Sequence, residues 1–300
     1  MAYSTEYGRA FHGDSLQLLK STTLRRYQGK IDLIFTSPPF PINTKKSYGN
    51  ELGDSYTKWL TNYSTVLSKF LSPTGSIVIE IGNSWDKGHP TMSTTPMLSL
   101  LAFKEASNLH LCQEFIWSNP ARLPSPVQWV NIKRIRVKDN FTRIWWMSPS
   151  ANPKADNRRV LQPYSEAMKK LLKSQSYNSG VRPSAHDVND SSFLTNNRGA
   201  IPGSVLNIAN TGSKDLYLKH CKENGIKPHP ARMPVPLAEF FIKFLTEPGD
   251  VVLDPFAGSN VTGFAAESNS RHWISIERDF DFIKGSSARF PHACSGPALK

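Results

Sequence analysis

The stretch that most constrains the fold is Val251-Val252-Leu253-Asp254, which passes straight into Pro255-Phe256-Ala257-Gly258-Ser259-Asn260-Val261-Thr262-Gly263. The apolar run follows the stop signal Pro248-Gly249-Asp250 and reads as a short buried strand. The small residues behind it read as a turn opening a helix through Glu267, and a second strand, Trp273-Ile274-Ser275-Ile276, ends at Glu277. Strand and helix alternating in this way indicate a parallel α/β sheet, whose ligands bind at the carboxyl ends of strands. Small residues in the turn let backbone approach a nucleotide-like ligand, and an acidic residue roughly 20 residues on can bind ribose hydroxyls. No Gly-Lys-Ser or Gly-Lys-Thr follows, which excludes a phosphate-binding P-loop, and one dinucleotide-type glycine alone is in register. An adenosine ligand without pyrophosphate fits better; a purely structural tight turn is the alternative.

A second strand-to-turn junction lies near the other end of the chain, where Ile31-Asp32-Leu33-Ile34-Phe35 runs into Thr36-Ser37-Pro38-Pro39-Phe40. Paired prolines fix φ and donate no N–H, which leaves the carbonyls of Ser37 and Pro38 free to accept from a ligand amine while Phe40 stacks on a flat ring. As an isolated motif the same residues read equally as a rigid turn closing a strand. Upstream, Ala10-Phe11-His12 leads through Gly13-Asp14-Ser15 into a helix, with Asp14 as its cap or as a ligand contact. Downstream, the polar stretch Pro41 to Asp54, holding Lys45 and Lys46, reads as a disordered loop or a functional lid.

Tyr56, Trp59, Leu60, Tyr63, Val66, Leu67 and Phe70 recur at helical spacing, ahead of a strand over Ser76 to Ile81. A helix from Thr95 to Leu109, a strand from Leu111 to Trp117 and an aromatic strand from Phe141 to Met147 are expected next. Between the last two, Ile132-Lys133-Arg134-Ile135-Arg136-Val137-Lys138 alternates apolar with basic, the period of an extended segment with charge along one side. The adjoining Trp129, Trp145 and Trp146 point to nucleic-acid proximity. From 151 to about 225 apolar periodicity fades except over Ser165 to Leu172, as in a linker or an inserted recognition module. It returns at Leu237, Phe240, Phe241, Phe244 and Leu245 as one buried helix face.

A chain of 300 residues with net charge +12 can bury a substantial core and favours a polyanionic partner. Cys112, Cys221 and Cys294 are scattered singly, so neither a disulfide framework nor a metal cluster is expected. No apolar run approaches bilayer length and no signal-peptide apolar region opens the chain, which predicts a soluble intracellular protein.

Taken together, Ser37-Pro38-Pro39-Phe40 and Phe256-Ala257-Gly258-Ser259-Asn260 resemble the two motifs of the DNA amino-methyltransferases that use S-adenosylmethionine. Their order, catalytic motif first and cofactor motif near the C-terminus, is similar to the circularly permuted β group, and Ser-Pro-Pro-Phe is similar to its cytosine-N4 branch. The PvuII-type enzymes are resembled further through Gly13-Asp14-Ser15-Leu16, Lys45-Lys46, Tyr48-Gly49-Asn50, Leu123-Pro124-Ser125-Pro126, Ile135-Arg136-Val137-Lys138-Asp139 and His229-Pro230-Ala231-Arg232. Asn260 departs from the glycine many relatives carry.

The resemblance implies a Rossmann-like mixed sheet with helices on both faces. It assigns 1–150 to the catalytic part, 151–225 to target recognition and 226–300 to cofactor binding. It implies that Phe256, Gly258, Ser259 and Asn260 surround the methionine part of S-adenosylmethionine, with Asp254 beneath the loop, Glu277 on the ribose and Asp14 on the adenine side. Ser37, Pro38, Pro39 and Phe40 would hold a flipped-out cytosine, and Lys45, Lys46, Lys133, Arg134, Arg136 and Lys138 would contact phosphates of duplex DNA. A restriction endonuclease acting on the same site is the further partner implied, and a nucleoid-associated cytoplasmic location follows. An adenine-N6 enzyme and a non-catalytic DNA-binding subunit of the same fold stay open as alternatives.

Overall fold

The apolar runs of the sequence pair as strands, and the computed structural model describes every residue except 43–50, 52, 178–179, 182, 185–186, 190–192, 213–214 and 297–300. The strands are β1 (Tyr3–Ser4), β2 (Gly8–His12), β3 (Ile31–Thr36), β4 (Leu71–Gly82), β5 (His110–Ser118), β6 (Phe141–Ser148), β7 (Gly180–Val181), β8 (Asp187–Val188), β9 (Val205–Asn207), β10 (Val251–Asp254), β11 (His272–Glu277) and β12 (Cys294–Ser295). The helices are α1 (Ser15–Lys20), α2 (Thr22–Arg25), α3 (Gly53–Leu67), α4 (Thr95–Ala106), α5 (Glu166–Ser174), α6 (Leu216–Glu223), α7 (Val235–Leu245), α8 (Val261–Ser268) and α9 (Phe280–Ser286).

One mixed sheet runs in the order β12-β1-β2-β11-β10-β3-β4-β6-β5-β9. Its centre, β2-β11-β10-β3-β4, is parallel, and β6 and β5 extend it antiparallel. From β10 the chain passes through α8 to β11 on one side, whereas from β3 it passes through α3 to β4 on the other. Connections that diverge from neighbouring parallel strands leave a crevice at their carboxyl ends, the usual ligand position in such sheets.

Alternation along the strands sorts the core onto two faces. Ile34, Ile77, Ile79, Leu253, Ile274 and Ile276 pack with Tyr56, Leu60, Tyr63 and Leu67 of α3 and with Leu100 and Phe103 of α4. Phe35 meets the ring of Phe241 on α7 at 5.2 Å, and Trp146 meets Phe244 at 5.1 Å. Each fully buried side chain of this size contributes about 1.5–3 kcal/mol, so the sheet is held flat against helices on both sides and its strand ends are fixed.

Two expectations fail for physical reasons. Residues 133–138 form no strand: a π-helix, Gln128–Ile132, precedes them, Arg134 takes a left-handed φ of 55°, and among the described residues no strand pairs with their backbone. Trp145 and Trp146 are buried within β6, which is flanked by β4 and β5, with the Trp146 indole Nε1 donating to Ser76 Oγ at 2.8 Å. They serve packing rather than nucleic acid.

The region expected at 151–225 divides. Asp156–Gly203 forms a second compact unit, while the residues after it belong with the first, where β9 pairs with β5 and α6 buries Tyr217 and Cys221. Within the second unit α5 is capped by Ser165, whose side chain accepts from Met168 N, β7 pairs with β8, and Gln162 bridges Ala200. Among the described residues no helix is long and apolar enough to cross a membrane.

Candidate active site

The carboxyl ends of the parallel strands surround a cavity of about 760 Å³. On one side β10 delivers Asp254, which is buried and spans the switch point: Thr36 Oγ1 donates to Oδ1 at 2.7 Å and Thr262 Oγ1 to Oδ2 at 2.7 Å. Phe256 N also donates to Oδ1, at 3.0 Å, which sets the turn after the strand. Burial pushes the Asp254 carboxyl up, and the same donors pull it back. Gly258 has a φ of +51°, and a Cβ there would lie 3.2 Å from the His229 ring, so glycine suits the position twice over. Gly258 N donates to Glu277 Oε2 at 2.8 Å and Asp279 N to Oε1 at 2.7 Å, so Glu277 fastens the loop while lining the cavity. Ser259 O accepts from buried Arg289, whose guanidinium is paired with both carboxylate oxygens of Asp215 at 2.9 and 2.6 Å.

Asp14 is the cap of α1, its Oδ1 accepting from Gln17 N at 3.0 Å, and it also lines the cavity wall. Phe256 also lines the wall, with its ring 4.8 Å from that of Tyr63. Asn260 does not reach the cavity. It sits left-handed at φ 53°, 1% exposed, with its side chain accepting from Gly263 N and Ser275 Oγ and donating to Tyr3 OH. The expected methionine contact is therefore corrected: a residue that must cap α8 and bond Tyr3 is turned into the core.

On the other side β3 delivers Ser37, Pro38, Pro39 and Phe40, all of which line the cavity. The Phe40 ring lies so close over Gly82 that a Cβ there would be 2.4 Å from it, which fixes the ring plane against β4. Glu80, two residues earlier on β4, is 3% exposed and also lines the cavity. Burial pushes its carboxyl up, while the hydroxyls of Ser37 and Thr142 and the charge of Arg122 favour the ionised form. Sequence reasoning passed over Glu80, though a lone carboxylate inside the apolar run Ile77-Val78-Ile79-Glu80-Ile81 was the available signal. His229, in the His229-to-Arg232 segment that the resemblance places beside the methionine moiety, also lines the cavity: buried against Phe282, its imidazole falls to about 4 through desolvation and stays neutral near pH 7.

The model of the DNA methylase family matches residues 31–288, most of the chain. The chain belongs to the DNA methylase family. It is 44% identical to the type II methyltransferase M.PvuII of Proteus hauseri over 291 residues, 96% of this chain and 85% of that one. The solved structure of PvuII DNA methyltransferase, described as cytosine-N4-specific, superposes with a TM-score of 0.76 at 38% identity, over 96% of this chain and 87% of that one. The structure of M1.HpyAVI with S-adenosylmethionine shares the fold, at a TM-score of 0.55 and 18% identity over 95% of this chain and 99% of that one.

Of the basic residues expected on DNA in this methylase, Lys45 and Lys46 lie outside the described residues. Lys133, Arg134, Arg136 and Lys138 are exposed on the strap that joins Asn119 to Thr142. Two are engaged by backbone: Lys138 Nζ donates to Pro120 O at 3.2 Å and to Arg122 O at 3.4 Å, and Arg136 Nε to Pro90 O at 3.0 Å. Lys133 rests 5.0 Å over the Trp129 ring.

Proposed function

We propose that this methylase transfers a methyl group from S-adenosylmethionine to the exocyclic N4 amine of a cytosine flipped out of duplex DNA. The observation that carries it is the meeting, in one cavity, of the Ser37-to-Phe40 turn with Glu80 and the Asp254-to-Ser259 loop with Glu277. The volume lies in the upper part of the range for ligand cavities, as a nucleoside cofactor beside a base requires. Asp14, Phe256, Gly258, Ser259 and Glu277 would hold the cofactor, which supplies a methyl on a sulfonium sulfur. Neutral His229 beside Gly258 adds no charge against that cation.

The amine's lone pair is delocalised into the ring, so it is a poor nucleophile until acceptors favour a tetrahedral nitrogen. Ser37 Oγ and the Pro38 carbonyl would accept from it, and Phe40 would offer the stacking surface lost on leaving the duplex. As the N–C bond forms and the C–S bond breaks, the amine must lose one proton. The Ser37 hydroxyl can pass it to Glu80, whose raised pKa makes it the better base. The unit Asp156–Gly203 would carry most of the sequence recognition, since loop-rich segments on a rigid scaffold commonly do. A restriction endonuclease of the same site is the partner this activity calls for, and the chromosome in the cytoplasm is its place of action.

The test is to digest DNA methylated by the protein to nucleosides and identify them by mass spectrometry, with the site mapped by sequencing. N4-methylcytosine is expected; N6-methyladenine as the sole product would move the reading to the adenine branch, and no methylated nucleoside with any duplex would leave a DNA-binding subunit.

A further inference from the structure

Between Arg122 and Asp139 the chain carries a set of large apolar side chains in solvent. Leu123 is 81% exposed and Val137 87%, and Val127, Ile132 and Ile135 add to the same strap. Single exposed apolar residues need no explanation, but a cluster confined to one strap does. The strap is well fixed. At its base the buried carboxylate of Asp139 accepts from Asn83 Nδ2 at 2.8 Å and from Trp85 Nε1 at 3.3 Å, and Asp139 N donates to Ser125 O at 2.9 Å. Its two ends, Asn119 with Arg122 and Asn140 with Thr142, line the cavity, so the strap stands at the mouth. Lys138 Nζ reaches the Arg122 carbonyl at 3.4 Å, and Leu123 and Val137 are the chain neighbours of those two residues.

Resting on the proposed activity, we infer that Leu123 and Val137 form an apolar wedge that enters the base stack of duplex DNA and fills the space left by the flipped cytosine. Charge decides the occupant. Lys133, Arg134, Arg136 and Lys138 share the strap, its one acidic side chain, Asp139, is buried, and the chain as a whole carries +12, so a second copy is repelled while a phosphate duplex is attracted. Inserted apolar side chains that unstack a step in exchange for protein contact are an established way to deform a duplex.

The test uses the full-length Leu123→Ala/Val137→Ala variant on two duplexes: the mapped site with the target cytosine paired to guanine, and the same site with an abasic residue opposite it. Both side chains lie in solvent, so the fold is retained, which cofactor affinity by calorimetry verifies. The wedge predicts a loss on the order of tenfold in the methylation rate on the paired duplex, recovered to within about twofold on the unpaired one, where flipping is already cheap. An equal loss on both duplexes would make the pair a general DNA contact, and no loss on either would assign the face to some other partner; each result overturns the wedge. The parental protein run alongside on the paired duplex reports on the activity itself, so its failure is told apart from that of the wedge.

Discussion

On the cofactor side of the cavity the carboxylates of Asp254 and Glu277 already have their oxygens bound by the protein, through Thr36, Thr262 and Phe256 in one case and Gly258 and Asp279 in the other. On the side proposed for the target, Glu80 is as deeply buried as Asp254, but what faces it is a pair of hydroxyls and one guanidinium charge. The first arrangement spends its carboxylates on shape: they anchor a loop that approaches a ligand with backbone. Burial pushes all three carboxyls up; Glu80 differs in facing the Ser37 hydroxyl, in the turn proposed to hold the target amine, so a proton leaving that amine has a path to it. On the proposed mechanism, one half of the cavity binds without changing and the other changes protonation during turnover.

Glu80→Gln is the sharpest way to break that comparison. It keeps the shape and removes the base, so turnover should fall about 100-fold, equivalent to about 2.7 kcal/mol in the barrier, with affinity for S-adenosylmethionine unchanged by calorimetry. The pH dependence has a definite sign. Because the folded pKa is raised, folding stability falls as pH rises from the ordinary glutamate value to that of Glu80 and is level above it, while the rate climbs as Glu80 ionises. The Gln variant should flatten both curves. Transfer at near the parental rate would mean that the proton leaves directly to water.

Glu277→Ala should have the complementary effect on the other half. Removing the carboxylate strands the Gly258 and Asp279 amides and takes away the proposed ribose partner, so cofactor affinity should drop by about 1–3 kcal/mol. Calorimetry with S-adenosylmethionine reads this directly, and binding to DNA should persist. Unchanged cofactor affinity would leave Glu277 as a structural fastener only.

The cofactor half was the more legible in the sequence because its parts are close together in the chain. Asp254, Phe256 and Gly258 follow one another, and Glu277 ends the next strand, so spacing alone suggested that they converge. Glu80 could not be found in that way, since what distinguishes it is its position opposite Ser37 and Thr142, both far from it in sequence. The strap misled because alternating apolar and basic residues imitate a strand, and the pattern is silent on whether a neighbouring strand exists to pair with it. Helix α6 was missed for a related reason: its buried residues, Tyr217 and Cys221, are too few to stand out among polar neighbours.

Asn260→Gly tests the remaining point, the direction of one side chain, and should have the smallest effect. At a helix N-cap, glycine in place of asparagine costs a few tenths of a kcal/mol, and the left-handed φ of 53° that asparagine tolerates is one that glycine adopts freely. What is lost is the pair of buried hydrogen bonds with Tyr3 and Ser275, each worth roughly 1 kcal/mol at most in net terms. Tyr3 is not stranded, because its hydroxyl keeps Ser286 as a partner at 2.8 Å, and burial pushes the phenol up to about 12 so that it stays protonated. The expected result is a loss of about 1–2 kcal/mol in stability, seen as a lower urea midpoint with an unchanged slope, together with unchanged affinity for S-adenosylmethionine. The opposite pattern, full stability with a tenfold weaker cofactor, would return Asn260 to the methionine end and make the two halves of the cavity less distinct than their hydrogen bonds indicate.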